Sequence, residues 1–362
     1  MRVAAVEARP LRSLADVRIE LADGIVSLIG PNGAGKTNFL EALYFALTGR
    51  SFRTSDRRDL IPFGGALARA EATIRDGDGI ERRLLASVSR SEGRRHLLDG
   101  SPADSAAMAR SRPPVAVFSP DRLALIKGPP GERRAHLDLF LAARWPSRSE
   151  LRQRYGQALA QRNALLARLA GTQGAAALDV WDGSLAEAAA PLVDARAEAV
   201  DELAPTFEAA AEELGLPPVT AIEYAPRASG TAEEIRAGLE ERRAADLRLG
   251  RSSWGPHLDE LRISIDGRQV RRYGSQGQQR IALLALLFAE REALLAARQV
   301  TPLLLLDDVM SELDPDRREL LVARLAGSGQ TLITAAAKES VPAAAREAVV
   351  WMPPERPQAV AA

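Results

Sequence analysis

The sequence contains no cysteine, only three histidines (His96, His136 and His257), and only three lysines among its 48 basic residues. Without cysteine no disulfide can form, and so few histidines leave almost no ligands for a structural zinc site. Aromatic residues make up 4% of the chain, which argues against an aromatic platform for single-stranded nucleic acid. Because the formal net charge is zero, any nucleic-acid surface must be a local patch.

Long hydrophobic runs are also missing. The longest apolar stretch in a helical pattern, residues 281–289, is about half of what a membrane span requires. Glu7 and Arg9 interrupt the N-terminal region where a signal peptide would be continuously apolar. We therefore expect a cytoplasmic protein with no membrane partner. With 362 residues and 46% hydrophobic content, the chain is expected to form roughly two domains or lobes.

The clearest pattern lies in residues 23–49, which predict a buried apolar strand, a glycine-rich loop and an amphipathic helix ended by Gly49. The loop matches G-x-x-x-x-G-K-[ST], the phosphate-binding P-loop. Its glycines at 30, 33 and 35 are expected to allow positive φ and close approach to an anion. Lys36 would place a charge at the β and γ phosphates, and the Thr37 hydroxyl would bind Mg²⁺. The pattern predicts ATP and Mg²⁺ as cofactors.

A second pattern is an apolar strand, residues 303–306, that ends in two aspartates. A strand of this kind is common and usually structural. Behind a P-loop, however, a carboxylate at the strand's C-terminal end can reach the metal held by Thr37. We interpret Asp307 as the metal ligand and Asp308 as the group that polarises the attacking water.

A third pattern, Ser275-Gln276-Gly277-Gln278, precedes an apolar helix predicted over residues 281–297. A serine and a glycine at a helix N-terminus can bind an anion, although a simple N-cap explains the same residues equally well. The order of the motifs separates the two interpretations. This segment, the leucine strand and the loop 311–314 fall within forty residues, which is the order of ABC-type ATPases.

Five sequence blocks resemble the RecF family of bacterial recombination mediators, relatives of SMC-type ATPases, over nearly the whole length. In order they are GPNGAGKTNFLEALYFALTGRSFR, VFSPDRLALIKGPPGERRAHLD, GPHLDEL, YGSQGQQR and LLLLDDVMSELD. The resemblance implies an α/β fold with an ABC-type P-loop ATPase head. It also implies an ATP-dependent homodimer on duplex DNA or a single/double-strand junction, slow ATP hydrolysis as a switch, and work with RecO and RecR in loading RecA at gaps.

The same resemblance implies roles for individual residues. Thr37 and Asp307 would hold Mg²⁺, and Asp308 would be the base. The signature residues Ser275, Gly277 and Gln278 would close the γ-phosphate site of the opposite subunit, with Asp314 in the loop between the two sites. The implied nucleotide contacts are Gly30, Pro31, Asn32, Gly33, Ala34, Gly35, Lys36, Thr37 and Asn38.

Three positions depart from the family pattern. Leu258 stands where the family usually has a basic residue, Leu11 stands where an aromatic residue precedes Arg12, and Ala335 replaces one of the usual threonines. These departures weaken three roles that the resemblance implies: a phosphate contact at 258, stacking on adenine at 11 and γ-phosphate sensing from the 334–335 loop. Arg12 itself still matches the family.

The domain organisation follows from shifts in pattern along the chain. Residues 1–128 and 253–352 are predicted to form the two parts of the ATPase head, around a compact helical insertion over residues 129–252. Prolines and glycines should divide that insertion into ordinary helices, which excludes a long coiled coil. We expect a small antiparallel β patch over residues 65–100, the two earlier strands in the same sheet as the P-loop strand, and a disordered tail over residues 353–362.

Arg50, Arg53 and Arg57 belong to the densest basic group of the first part and are the predicted DNA contacts, although a solvated surface is the commoner explanation of such a group. Two other functions share the ATPase motifs. The nucleotide-binding subunit of a membrane transporter should have a short helical insertion and a switch histidine, neither of which is found here. A purely structural, SMC-like clamp would differ only in that ATP turnover is incidental.

Overall fold

The computed structural model describes residues 1–54, 56–91, 93–169, 175–327 and 329–352. The predicted tail, residues 353–362, lies outside this part of the chain. The fourteen strands are β1 Arg2–Arg9, β2 Val17–Glu20, β3 Ile25–Ile29, β4 Leu67–Arg75, β5 Glu81–Ser89, β6 Gly93–Leu98, β7 Ser101–Pro102, β8 Val115–Phe118, β9 Thr220–Ala225, β10 Glu260–Ile265, β11 Arg268–Gln269, β12 Leu303–Leu306, β13 Thr331–Ala335 and β14 Ala348–Trp351. The helices are α1 Lys36–Thr48, α2 Ser105–Arg110, α3 Ala124–Lys127, α4 Pro130–Arg144, α5 Leu151–Leu169, α6 Asp179–Glu213, α7 Ala232–Leu249, α8 Val270–Tyr273, α9 Gln276–Arg298 and α10 Pro315–Leu325.

The described residues form two compact units. One comprises Met1–Arg122 together with the chain from Leu294 onward, and the other comprises Leu123–Ala293. The second unit takes in residues 253–293, which sequence patterns alone group with the ATPase head. No helix in the described ranges is long and apolar enough to cross a membrane.

A five-stranded sheet of the first unit carries the predicted P-loop strand. Its order is β14-β3-β13-β12-β8, and every neighbouring pair is parallel. Strands such as β12, which consists of four buried leucines, are apolar throughout because both faces of a parallel sheet are covered. The carboxyl ends of β3, β12 and β13 therefore lie along one edge of the sheet, where ligands bind in open α/β folds.

The second sheet of this unit is larger than the predicted patch. It is antiparallel, with the order β2-β1-β4-β5-β6-β7. The expectation that the two N-terminal strands join the P-loop sheet was wrong, since β1 pairs with β2 and β4. The burial pattern agrees with an antiparallel sheet that is covered on one face, because β4 buries every second residue.

Helix α1 and the two sheets share one hydrophobic core. Phe39, Leu40, Leu43, Phe45 and Leu47 of the helix are fully buried, together with residues of β1, β3, β4 and β13. A helix that is apolar on nearly every side needs cover on nearly every side, which the two sheets supply. The helix that follows the P-loop is thus fixed by the core of the unit.

A single buried glutamine ties the N-terminal strand to the parallel sheet. Gln330, immediately before β13, accepts from the Val3 N–H at 2.8 Å and donates to the Val3 carbonyl at 2.8 Å. Its amide also donates to the Ala22 carbonyl at 2.9 Å. The side chain therefore replaces backbone hydrogen bonds that β1 could not otherwise make there.

The second unit is helical with a small sheet, in the order β11-β10-β9. The prediction that glycines and prolines divide its helices was wrong for α6. This helix has 35 residues and contains Gly183, Pro191 and Pro205, so it extends for roughly 50 Å. Strand β9 was not predicted, although the alternation in 219–225 (VTAIEYA) was the available signal.

A buried charge cluster connects three helices of the second unit. The Arg162 side chain on α5 is fully buried and donates to Asp182 on α6 at 2.5 Å and to Asp246 on α7 at 2.7 Å. It also donates to the Ser252 hydroxyl at 2.7 Å, and Arg243 pairs with the other Asp182 oxygen at 2.6 Å. Removing one member of such a cluster leaves an uncompensated buried charge.

We predict that Arg162→Ala lowers the free energy of unfolding by about 3–5 kcal/mol, because Asp182 and Asp246 then remain buried with fewer partners. The measurement is chemical denaturation followed by circular dichroism. The control is Arg236→Ala, which breaks the exposed pair with Glu240 and should change stability little. Equal losses from the two substitutions would contradict the role assigned to the cluster.

Candidate nucleotide-binding site

The P-loop runs from the end of β3 to the start of α1. Gly33 and Gly35 have φ of 82°, the left-handed region that favours glycine, as predicted. The same expectation was wrong for Gly30, which is not among the residues with positive φ. There, a Cβ would lie 2.4 Å from the Met352 carbonyl oxygen, so the reason for glycine is the close approach of the chain after β14.

Lys36 begins α1 and folds back over the loop. Its Nζ donates to the carbonyls of Gly30 at 2.6 Å and Pro31 at 2.9 Å. Burial lowers the pKa of the Lys36 amine, and the negative charges of Asp308 and Asp307 oppose that shift. The amine is thus held at the loop by weak neutral acceptors, which a phosphate oxygen can replace with a charged one.

Thr37 and Asp307 meet at the edge of the parallel sheet, as predicted. The Thr37 hydroxyl lies 2.9 and 3.0 Å from the two carboxylate oxygens of Asp307. Burial raises the pKa of Asp307, while the hydrogen bonds from Thr334 and Thr37 lower it. A hydroxyl and a carboxylate at this separation are suitable oxygen ligands for one Mg²⁺ that is also bound by nucleotide phosphates.

Thr334 at the end of β13 is a residue whose role sequence reasoning missed. It is fully buried, and its hydroxyl donates to Asp307 Oδ1 at 2.9 Å while accepting from the Asp308 N–H at 2.7 Å. Asp308 has φ of 51°, an uncommon conformation for a residue other than glycine. Thr334 therefore holds both aspartates in place. The only feature of the sequence that could have indicated this role is the position of Thr334 at the end of a strand beside β12.

An ion cluster behind the P-loop was also missed. Glu41 on α1 is fully buried, and its carboxylate pairs with Arg12, accepts from the Ser51 hydroxyl at 2.5 Å and lies 3.5 Å from Arg53 Nη1. Arg53 also donates to the Asn38 side-chain oxygen at 3.0 Å. An acidic residue at a buried position of an apolar helix was the available sequence signal, since such a charge requires partners.

The P-loop, the two aspartates after β12 and Thr334 line one pocket. Its lining includes Arg53, which sequence analysis had assigned to DNA, whereas Arg57 lies in a separate groove with Arg58 and Arg94. The pocket is lined by Ser13, Asn32, Gly33, Ala34, Gly35, Lys36, Thr37, Asn38, Arg53, Asp307, Asp308 and Thr334.

The signature residues form a helix cap. Ser275 N–H donates to the Gln278 side-chain oxygen at 2.8 Å, and Gln278 N–H donates to the Ser275 hydroxyl at 3.2 Å, which is a reciprocal capping box at the start of α9. Asp314 likewise caps α10 through the Arg317 N–H at 3.0 Å. Ser275 belongs to the second unit and is exposed, whereas the P-loop pocket is lined by residues of the first unit.

The parallel sheet, the P-loop after β3 and the aspartates after β12 define the head of an ABC-type ATPase. The family model described as RecF/RecN/SMC N terminal domain matches residues 2–356. A solved SMC head bound to the C-winged helix domain of ScpA shares this fold, with a TM-score of 0.58 at 16% identity over 97% of this chain and 94% of that one.

Within this class the chain belongs to the RecF family. A "DNA replication and repair protein RecF" from Anaeromyxobacter sp. (strain Fw109-5) is 38% identical over 337 residues, 90% of this chain and 89% of that protein. The protein of that name from Streptomyces avermitilis is 37% identical, covering 94% and 95%. The structure of "the recombination mediator protein RecF-ATPrS in RecFOR pathway" gives a TM-score of 0.80 at 27% identity over 94% of both chains.

We predict that Thr334→Val lowers the rate of ATP hydrolysis and the Mg²⁺ affinity, each by about 10–100-fold, because Asp307 loses a hydrogen bond and the Asp308 N–H loses its acceptor. Thr334→Ser retains the hydroxyl and should stay close to wild type. Steady-state ATPase assays at several Mg²⁺ concentrations provide the measurement. If the valine variant keeps wild-type Mg²⁺ dependence, Thr334 does not position the aspartates.

Proposed function

We propose that this protein is an ATP-dependent DNA-binding mediator of recombination. ATP and Mg²⁺ bind at the P-loop pocket and bring two chains together on duplex or gapped DNA, and slow hydrolysis releases them. With RecO and RecR, the dimer helps to load RecA at gaps. The observation that carries the proposal is the convergence of Thr37, Asp307, Asp308 and Thr334 on one pocket in a member of the RecF family.

Different residues of the pocket are assigned to phosphate binding, metal binding and hydrolysis. The P-loop N–H groups and Lys36 hold the phosphates, and Arg53 adds a second positive charge to the same pocket. Thr37 and Asp307 would hold Mg²⁺, which would supply positive charge next to the phosphates. Asp308 accepts a hydrogen bond from the attacking water and orients it, while Thr334 keeps its backbone in place.

Dimerisation follows from the position of the signature residues. The lining of the pocket comes from residues 13–53 and 307–334, and Ser275 is exposed at the start of α9. The reciprocal cap leaves N–H groups of the first helical turn available to an anion, as at any helix N-terminus. A second chain related by a two-fold axis can supply this end to the nucleotide of the first, and two such sites then form together.

We predict that the protein is largely monomeric alone and dimeric with ATP and Mg²⁺, as measured by light scattering. Lys36→Met should abolish the dimer because the phosphates lose their charged partner. Lys36→Arg should still impair it, since a planar guanidinium does not replace a compact point charge. An unchanged mass of the wild type at saturating ATP would refute the shared site.

The sharing of each site between chains can be tested by mixing two inactive variants. Asp308→Asn should bind ATP but hydrolyse it poorly, and Ser275→Arg should block the facing site. With random pairing, about half of the dimers are hybrids with one intact site each, so roughly a quarter of all sites should regain activity. The measurement is DNA-stimulated ATPase activity of the mixture relative to the separate variants.

The control for this experiment is a pair of differently labelled chains, whose energy transfer reports that hybrids have formed. When hybrids are present, no rise in activity means that Ser275 does not act across the interface. The nucleotide-binding subunit of a membrane transporter would show neither DNA-stimulated ATPase activity nor ATP-dependent retention on DNA. Both properties can be measured with the same samples.

A further inference from the structure

A groove lined by arginines lies on the antiparallel sheet of the first unit. Arg57 and Arg58 come from the segment before β4, Arg90 ends the β4–β5 hairpin, and Arg94 comes from β6. No carboxylate of the described residues forms an ion pair with any of the four. By contrast, all five arginines on β1, β2 and β4 form ion pairs, as Arg75 does with Glu81 at 2.5 Å.

The charges of the groove act on one another. Burial lowers the pKa of Arg94, and the positive charges of Arg57 and Arg50 lower it further. Burial and the charges of Arg94 and Arg57 also lower the pKa of the neighbouring His96 to about 4, so this histidine is neutral at pH 7. Asp56 also lines the groove, and its carboxylate accepts from the Arg58 N–H at 2.9 Å. Four positive charges beside one carboxylate are costly for a folded protein, and an anionic partner relieves that cost.

A fully exposed phenylalanine stands beside this groove. Phe63 is 100% exposed and occupies the second position of the turn Pro62–Gly65, which is closed by a 2.9 Å hydrogen bond from Gly65 N–H to the Pro62 carbonyl. Gly64, the third residue, has φ of 74°, as a type II turn requires. The turn therefore presents the Phe63 ring to solvent at its tip.

Arg90 joins the turn to the groove. Its backbone N–H donates to the Ala66 carbonyl at 3.3 Å, and its Nε donates to the Gly65 carbonyl at 3.4 Å. On the other side, the turn follows within a few residues of Arg58, whose carbonyl accepts from the Ile61 N–H at 3.0 Å. The turn that carries Phe63 is thus hydrogen-bonded to one arginine of the groove and follows a second one closely in the chain.

We propose that the groove and Phe63 form one nucleic-acid surface, in which the arginines hold the phosphates of a duplex and Phe63 stacks on an unpaired base beside it. This inference rests on the proposed function and assigns its DNA surface. A groove with four arginines and one aspartate has an excess of positive charge, which favours a polyanion. A protruding ring selects the type of DNA, because both faces of a base inside an intact duplex are covered by neighbouring base pairs, whereas a base in a gap has a free face.

The test uses the full chain with ATP and Mg²⁺ and two fluorescent duplexes that each contain a one-nucleotide gap. In one the unpaired position carries a base, and in the other it is abasic. Wild type should prefer the base-containing gap by about 5- to 100-fold. Phe63→Ala should abolish that preference without weakening binding to the abasic gap, and Phe63→Trp should retain it. Ile80→Ala, an exposed apolar residue at the other end of the β4–β5 hairpin, is the matched control and should change neither affinity.

The groove is tested by the salt dependence of the same affinities. Arg58→Ala combined with Arg94→Ala should weaken binding to both duplexes and reduce the salt slope by about 2. Arg154→Ala with Arg236→Ala removes equal charge from two exposed ion pairs of the second unit and should alter the slope much less. Circular dichroism and ATP affinity confirm that each variant is folded.

The possible failures are distinguishable. If wild type binds neither duplex in the presence of ATP, the proposed function itself is wrong. If wild type binds DNA but Phe63→Ala retains the preference for the unpaired base, the stacking role is wrong. If wild type binds DNA while the arginine variant keeps its affinity and salt slope, the groove serves another partner, such as an acidic protein, and the assignment of this surface to DNA is refuted.

Discussion

The hydrogen bonds that converge on Asp307 are the interaction on which the nucleotide site depends. Three parallel strands end side by side, and their ends contribute Thr37 through the P-loop, Asp307 and Thr334. A buried carboxylate without partners would be too costly to keep charged at this position. The two threonine hydroxyls supply those partners. They also hold the Asp307 carboxylate next to the Thr37 hydroxyl, so that both oxygens would be available to one Mg²⁺.

Helix α1 connects the proposed nucleotide site to the core of the first unit. In the proposed function its N-terminus faces the phosphates, while its apolar sides are enclosed by both sheets. The one charged residue buried on the helix, Glu41, is compensated by Arg12 from the segment between β1 and β2 and by Ser51 and Arg53 from the segment after the helix. The antiparallel sheet and the helix that follows the P-loop therefore share one core, so a change in the packing of either acts on the other.

The sequence predicted the structure wherever a motif is formed by residues that are neighbours in the chain. The P-loop and the leucine strand each need only neighbouring residues, and the structure has both at the predicted positions, although Gly30 lacks the expected positive φ. The N-cap interpretation of Ser275 also agrees with the structure, but α9 begins at Gln276, five residues before the predicted start. Sequence failed where geometry depends on distant partners. The pairing of β1 with β4, the role of Thr334 and the burial of Glu41 each require knowledge of which segments meet. Pro191 and Pro205 were misjudged for a related reason, because tertiary packing can stabilise a helix that proline weakens locally.

The connection from α1 to β4 links the two proposed surfaces of the first unit. Arg53 lines the nucleotide pocket, and Arg57 and Arg58, four and five residues further on, line the groove beside Phe63. Among the described residues of this span, Thr54 donates to Asp59 at 2.6 Å and Asp56 caps the turn that begins at Arg57. If a nucleotide displaces Arg53 from Asn38, the Thr54–Asp59 hydrogen bond connects that displacement to the turn that carries Arg57 and Arg58. Any difference in groove position between nucleotide states makes ATP and DNA affinity depend on each other, and by thermodynamic linkage the coupling acts equally in both directions.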